Sequence, residues 1–213
     1  MAMLFRAQHA LPVFILNSKK NFMHQKFHLR NTVLMLMIIL VAAIRLFNNF
    51  NTHVSVLANY SPLAAMALFG SAYFKGYIKP YLFSLLSIFI SDVILFATVH
   101  KQYGNGFLYS GWYYVYGAFL LIAIFGRFIL KKISVQNIAL SIIIAVFIHW
   151  IVTDFAVWLG SKTYPQTWSG FNACLAVAIP FELRLLSATC IYSVIMFGVF
   201  EWMKKKYAAL QNT

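Results

Sequence analysis

The stretch HWIVTDFAVWLGSKTYPQTWSGFNACLAVAIPFE, residues His149–Glu182, places a short polar connection between two apolar runs. It holds two of the chain's four carboxylates, three of its five tryptophans and one of its two cysteines. Because an apolar helix leads into it and an apolar stretch leaves it, we expect these polar groups at the edge of a membrane or inside one. We expect the rest of the chain to be a scaffold that presents this segment.

The composition of the whole chain also indicates a membrane protein. Of the 213 residues, 62% are hydrophobic and 10% are charged, whereas an ordinary soluble domain carries about 25% charged residues. A soluble core of this size cannot bury so much apolar surface. The net charge of +13 is divided into short basic clusters between apolar runs, which is typical of topology signals and not of a phosphate-binding face. We therefore expect a lipid bilayer around the chain and no nucleic-acid partner.

The apolar runs predict an all-α integral membrane protein whose single domain, residues 32–206, has six transmembrane helices. The predicted spans are Thr32–Phe47, Val54–Phe74, Pro80–Val99, Gly111–Leu130, Val135–Leu159 and Leu183–Met203. Most approach the roughly 20 residues that a crossing needs. Asn59 and Pro62 interrupt the second span, a break tolerated where it faces protein or a wet cavity. Phe171–Ile179, closed by Pro180, is too short to cross and is predicted to be a re-entrant or surface segment on the outer face.

The basic residues predict the orientation of these spans. With six crossings and the N-terminus inside, thirteen lysines and arginines lie on the inner side and four on the outer side, as the positive-inside rule requires. Residues 1–31 are then a basic cytoplasmic tail against anionic lipid, with Met23 as an alternative start that would remove residues 1–22. Residues 207–213 form a C-terminal tail. We expect a multi-pass protein of the bacterial inner membrane with both termini inside.

Charged side chains inside the spans indicate the candidate site. An ionisable group within the bilayer costs about 2.5–3.5 kcal/mol or more unless it is paired or hydrated. Arg45, Asp92 and Asp154 belong to three different spans and are all expected in the outer third of the membrane. Two interpretations remain open: a buried ion-pair network that fixes helix packing, and the polar floor of an outward-facing pocket, which we favour.

Aromatic and amide side chains extend this candidate site. Trp150, Asp154 and Trp158 are spaced at i, i+4 and i+8 and therefore share one helix face. Two indoles around a carboxylate suit a flat or cationic ligand, while an interfacial aromatic belt is the alternative. Asn59, at the break in the second span, and Asn172, in the short outer segment, complete the predicted substrate-binding set.

The remaining candidate residues are more simply explained by packing or by the membrane interface. His149 lies one residue off the tryptophan face and is predicted to be a hydrogen-bonded packing residue, with a ligand or proton-transfer role as the alternative. The fourth span opens with Tyr109, Trp112, Tyr113 and Tyr116, which are predicted to be interfacial residues, with a pocket wall as the alternative. Cys174 is predicted to be a small buried residue. The alternative is that its thiol is a soft ligand for a transition metal. Because hydrolase, protease and phosphate-loop motifs are absent from the sequence, we expect no catalytic residues, no cofactor and no enzymatic activity.

Four pieces of the chain resemble a bacterial integral membrane family of unknown function. They are SPLAAMALFGSAYF (Ser61–Phe74), SD (Ser91–Asp92), YGAFLLIAIFGR (Tyr116–Arg127) and TDFAVWLGSKTYPQTWSGFNACLAVAIPF (Thr153–Phe181). In size and six-helix layout that family is similar to the substrate-binding S components of energy-coupling-factor vitamin transporters. By this analogy we expect an outward pocket for a vitamin-like or metal-containing micronutrient and a partner module of a membrane scaffold with two ATPases. The first span departs from the pattern, since it lacks an Ala-xxx-Ala docking face.

The expected function is therefore binding of a small micronutrient from the outer side for uptake. In this hypothesis Arg45 meets an anionic group of the ligand, Asp92 and Asp154 pair with Arg45 or bind donors, and the tryptophans stack on the ligand. A third class, an intramembrane enzyme, would need His149 close to a carboxylate and to a water-accessible cleft. The main alternative is a structural or assembly protein of the cell envelope without a small-molecule ligand. That alternative predicts a dry charged network that is satisfied internally and has no cavity.

Overall fold

A computed structural model describes residues 29–47, 49–50, 60–98 and 108–211, and these residues form helices and no strand. The helices are α1 (Leu29–Phe47), α2 (Leu63–Tyr73), α3 (Lys79–Thr98), α4 (Trp112–Ile129), α5 (Val135–Gly160) and α6 (Trp168–Lys206), with a final 3-10 turn at Ala208–Leu210. All except α2 are long and apolar enough to cross a membrane. The predicted all-α membrane fold is thereby confirmed at the level of its helices.

Helix α2 forms the centre of the fold. Ten of its 11 residues are buried, and it contacts α3, α4, α5 and α6. Its alanine-rich sequence favours a helix, and a helix that is apolar on every side is stable only inside other structure. At about 16 Å it is too short to cross the bilayer alone. The helical part of the predicted second span begins directly after Pro62, and residues 54–59 of that span lie outside the described residues.

Small residues allow neighbouring helices to approach α2 closely. A Cβ added at Gly126 of α4 would lie 2.8 Å from both Leu68 Cδ2 and Ser71 Oγ. A Cβ added at Gly70 would meet the hydroxyl of Ser84 on α3. Helix packing through small residues is the usual solution in membranes, where van der Waals contact replaces the hydrophobic driving force.

A polar cluster joins the first turn of α1 to the last turns of α2 and α6. Arg30 Nη2 donates a 2.8 Å hydrogen bond to the carbonyl of Tyr73. The Tyr73 hydroxyl donates to Glu201 Oε1 at 2.6 Å, and Lys204 Nζ binds the same oxygen at 2.8 Å. Arg30 is only 6% exposed. It is therefore part of the helical domain, although the sequence placed it in the tail.

The predicted break at Pro180 is wrong. Residues Trp168–Lys206 form one helix of 39 residues with Pro180 in its interior. At 1.5 Å per residue this helix is about 58 Å long, whereas the hydrocarbon core is about 30 Å thick. Phe171–Ile179 is therefore no separate re-entrant or surface segment, and the predicted sixth span is the second half of the same helix. Helix α5 contacts α6 on both sides of Pro180, at Leu175 and at Glu182. Packing against neighbouring helices makes a proline tolerable inside a membrane helix.

The connection between α5 and α6 is short and fixed by hydrogen bonds. The side chain of Thr167 accepts from the Gly170 N–H and caps the first turn of α6. The Trp158 indole donates to the Pro165 carbonyl at 2.9 Å, and the Gln166 amide donates to the Trp158 carbonyl at 2.7 Å. Helices α5 and α6 therefore form an antiparallel hairpin that carries most of the predicted site residues.

Candidate functional site

A charged network links α1 to α3. Arg45 Nη2 lies 2.6 Å from Asp92 Oδ1, and Arg45 Nη1 donates to the Ser91 hydroxyl. Asp92 is 4% exposed. Its second oxygen accepts from the Tyr116 hydroxyl at 2.9 Å and from the Tyr109 hydroxyl at 3.4 Å. Both oxygens of this buried carboxylate therefore have donors, and the network is satisfied by the protein itself.

Tyr109 completes this network from the turn before α4. Burial and, next in importance, the negative charge of Asp92 raise the pKa of its phenol. The hydroxyl therefore stays protonated at physiological pH and remains a donor to Asp92. The interfacial role predicted for Tyr109 and Tyr116 did not include their hydrogen bonds to Asp92. These hydrogen bonds could have been predicted, because both tyrosines lie near the expected depth of the buried Asp92 carboxylate.

A second group of ionisable side chains lies between α5 and α6, and we call it the Glu182 group: His149, Asp154 and Glu182. His149 Nδ1 is 3.0 Å from Glu182 Oε1. Glu182 is 8% exposed, and its Oε2 is buried without a hydrogen-bond partner among the described residues. Asp154 is half-buried and lies within electrostatic range of both other members. His149 therefore pairs with Glu182, and Asp154 adds a second carboxyl group within electrostatic range of this pair.

The tryptophans of the predicted site hold α5 against α6. The Trp150 indole N–H donates to the Leu175 carbonyl at 3.1 Å, and that of Trp158 binds the connection after α5. Both rings are half-buried. The helix face shared by Trp150, Asp154 and Trp158 is therefore directed at α6 and its connection. A ligand at this face would meet ring surfaces, because the N–H groups bind backbone oxygens.

The structure divides the predicted site into two parts. Arg45 pairs with Asp92, as expected. Asp154 joins Glu182 and His149 and is not among the partners of Arg45. The physical reason is helix order, since α4 packs between α3 and α5 and each acid finds its partners on its own side.

The other predicted residues have less defined surroundings. Asn172 is exposed on the first turns of α6, and Asn59 lies outside the described residues. The buried Cys174 thiol is 3.7 Å from the Asp154 carbonyl oxygen. Across the described parts of the chain, no three His, Cys, Asp or Glu side chains are grouped so that they could hold a metal ion. Nothing in the structure therefore supports Cys174 as a metal ligand.

Sequence reasoning missed Glu182 as a site residue. Because a break was expected at Pro180, the helix face on which Glu182 lies could not be inferred. In the continuous helix, Cys174, Ala178 and Glu182 are all buried and follow one another at i, i+4 and i+8 on the face toward α5. The i, i+4, i+8 spacing of these residues across Pro180 could have indicated that Glu182 faces α5.

A family model matches residues 25–210 and describes a family of unknown function (DUF6580). The chain belongs to this family. The match spans all six helices, so the family is defined by the whole bundle and not by the α5–α6 hairpin alone. No curated protein and no solved structure matches the chain.

Two grooves in this member of the family lie away from the Glu182 group. One, of about 370 Å³, runs between α1 and α3 below Ser91 and is lined almost entirely by apolar side chains. The other, of about 670 Å³, lies between the first half of α5 and the second half of α6. Neither is lined by a member of the Glu182 group. Neither of these two grooves therefore supplies a cavity at the Glu182 group.

Proposed function

We propose that the protein binds a small cationic micronutrient from the outer side of the bacterial inner membrane and serves in its uptake. Glu182 carries this proposal, because its Oε2 is buried and has no donor among the described residues. A buried polar atom left unsatisfied costs about 1–3 kcal/mol, and ionisable groups inside a membrane are by default functional. A cationic or hydrogen-bond-donating ligand removes that cost.

The composition of the Glu182 group selects the ligand class. Asp154 and Glu182 can carry two negative charges, whereas His149 supplies at most one positive charge. This surplus of negative charge favours a cationic ligand. Trp150 and Trp158 occupy the same helix face as Asp154 and offer ring surfaces to a flat cation. A flat organic cation of the size of a vitamin combines both features.

The charge distribution supports binding from outside. With both termini inside, the clusters Lys131–Lys132 and Lys204–Lys206 face the cytoplasm, in agreement with the positive-inside rule. Glu182 precedes Lys204 by about 33 Å of helix at 1.5 Å per residue, which is close to the thickness of the hydrocarbon core. The Glu182 group then lies near the outer boundary.

Uptake needs an energy source that the sequence motifs of this chain do not supply. The analogy with S components suggests a membrane scaffold with two ATPases, and an ion gradient is the other source. Pro180 lies two residues before Glu182 and cannot donate a backbone N–H to α6. It is therefore a natural place for the helix to bend when α5 and α6 separate.

Ligand-induced thermal stabilisation tests the proposal. The purified protein in detergent is unfolded with thiamine as a flat organic cation, choline as a compact cation and nicotinate as a flat anion. We expect thiamine to raise the unfolding midpoint most and nicotinate to have no effect. Glu182→Gln and Asp154→Asn should abolish the shift, while Glu201→Gln, which neutralises the acid at the opposite end, should keep it. Equal shifts in wild type and Glu182→Gln would overturn the assignment.

A structural or assembly role is the second candidate, favoured by the Arg45–Asp92 network. That network has donors for both carboxylate oxygens and needs no ligand. A purely structural protein would lose stability on changes at Asp92 and respond to none of the three probes. The two candidates therefore differ in the thermal-shift measurement.

A further inference from the structure

The groove between α5 and α6 has apolar walls and one charged end. Ile138 and Ile142 of α5 face Phe197 of α6 across a volume of about 670 Å³. Along α6 it extends from Leu186 to Lys205, about 28 Å at 1.5 Å per residue. Half of the hydrocarbon core, the length available to a lipid chain of one leaflet, is about 15 Å. The groove is therefore long enough for such a chain.

Small side chains create this groove. Ala139 on α5 and Cys190, Ser193 and Gly198 on α6 line it among larger residues. A Cβ added at Gly198 would have no atom within 4 Å, so the space beside this glycine is open. The outward-facing neighbours Ile143 and Val194 are 62% and 72% exposed. Exposed apolar side chains on a membrane helix face lipid, and the groove opens on this lipid-facing side.

The charge at the end of the groove is positive. Lys205 lines it, and Lys131 and Lys132 directly precede the α5 segment that forms its other wall. Among the described residues that line the groove, Glu201 is the one acid, and it is paired with Lys204 at 2.8 Å. A ligand that fits therefore combines a long apolar chain with an anionic head.

We propose that this groove binds one anionic phospholipid of the surrounding bilayer. Its acyl chain lies along the apolar walls beside Gly198, and its phosphate lies at Lys205 with Lys131 and Lys132 nearby. A bilayer phospholipid supplies both parts at the required depth. The site is separate from the Glu182 group and does not depend on the function proposed for that group.

Native mass spectrometry with two lipids of identical acyl chains tests this site. The detergent-purified protein is titrated with phosphatidylglycerol, which is anionic, or phosphatidylcholine, which is zwitterionic. We expect one phosphatidylglycerol to bind at least ten times more tightly than phosphatidylcholine. Gly198→Leu fills the groove and should abolish this binding, whereas Gly117→Leu, at an equally open glycine on α4, should leave it intact.

The charged end is tested by a second matched pair. Lys205→Gln should reduce the preference for phosphatidylglycerol at least threefold. Lys206→Gln should not, because Lys206 lies over the Trp202 ring at 5.3 Å and does not line the groove. Unfolding midpoints in detergent without lipid confirm that each variant is folded. Equal affinity for the two lipids, or phosphatidylglycerol retained by folded Gly198→Leu, would overturn the proposal. A dimer of the wild type that Gly198→Leu dissociates would also overturn it, by assigning the groove to a second copy.

Discussion

Asp92 and Glu182 are both buried carboxyl groups, and their surroundings give them different roles. Asp92 receives donors on both oxygens from Arg45, Tyr116 and Tyr109. Glu182 meets one imidazole nitrogen, and its other oxygen has no hydrogen-bond partner within the part of the chain that the structure describes. The depth of Arg45 and Asp92 in their spans was enough to predict their pairing. The pairing of Glu182 with His149 was not predictable, because the face of α6 on which Glu182 lies depends on whether the helix continues through Pro180.

Neutralising Asp92 should destabilise the fold. Asp92→Asn keeps the shape of the side chain and leaves the partly buried Arg45 guanidinium without its counter-charge, at a cost toward the lower end of the roughly 3–5 kcal/mol for breaking a buried pair. Tyr116→Phe removes one donor to the charged carboxylate and should cost less, about 1.5–3 kcal/mol. Denaturant titrations of both variants in micelles measure the difference. An Asp92→Asn protein as stable as wild type would show that the ion pair contributes nothing to the fold.

In helix α6, packing against α5 outweighs the local tendency of proline to end a helix. Proline is expected to end a helix, and this expectation produced the predicted short outer segment. In the structure, contacts to α5 lie on both sides of Pro180: the Leu175 carbonyl accepts from Trp150, and Glu182 meets His149. In a membrane each unpaired backbone group is costly, which favours one continuous helix. The other long helices followed from apolar length alone.

The start of α6 should be sensitive to a single methyl group. A Cβ at Gly170 would meet the Pro165 carbonyl oxygen and lie 2.9 Å from its carbon. Backbone cannot yield as a side chain does, so Gly170→Ala should cost about 1–3 kcal/mol through overpacking and weaken the Trp158 bond to the same carbonyl. Gly117→Ala, with open space around its Cβ, is the control and should be neutral or stabilising. Equal unfolding midpoints for the two variants would contradict this packing.

At the scale of the whole molecule, the chain's hydropathy predicted a membrane bundle but not its centre. The second span was expected to cross with a break at Asn59 and Pro62, and its described helical part is the short helix α2, which begins after Pro62 and is enclosed by protein. Periodicity cannot reveal this, because a helix buried on all sides and one surrounded by lipid are equally apolar. Orientation rests on the distribution of lysine and arginine.

Site-directed labelling tests that orientation. In a Cys174→Ala, Cys190→Ala background, Lys162→Cys places a thiol in the exposed connection between α5 and α6, and Lys132→Cys places one before α5. A membrane-impermeant maleimide should label Lys162→Cys in intact cells and Lys132→Cys only after permeabilisation. The reverse pattern would put the Glu182 group on the inner side and contradict uptake from outside.

The central claim is that the Glu182 group holds a small cationic ligand. Native mass spectrometry of protein released from its own membranes, with no ligand added, tests it most directly. We predict a bound small molecule of constant mass on the wild type and on Glu201→Gln, and its loss from folded Glu182→Gln and Asp154→Asn. Identical spectra for folded wild type and Glu182→Gln, with or without a bound molecule, would contradict the claim.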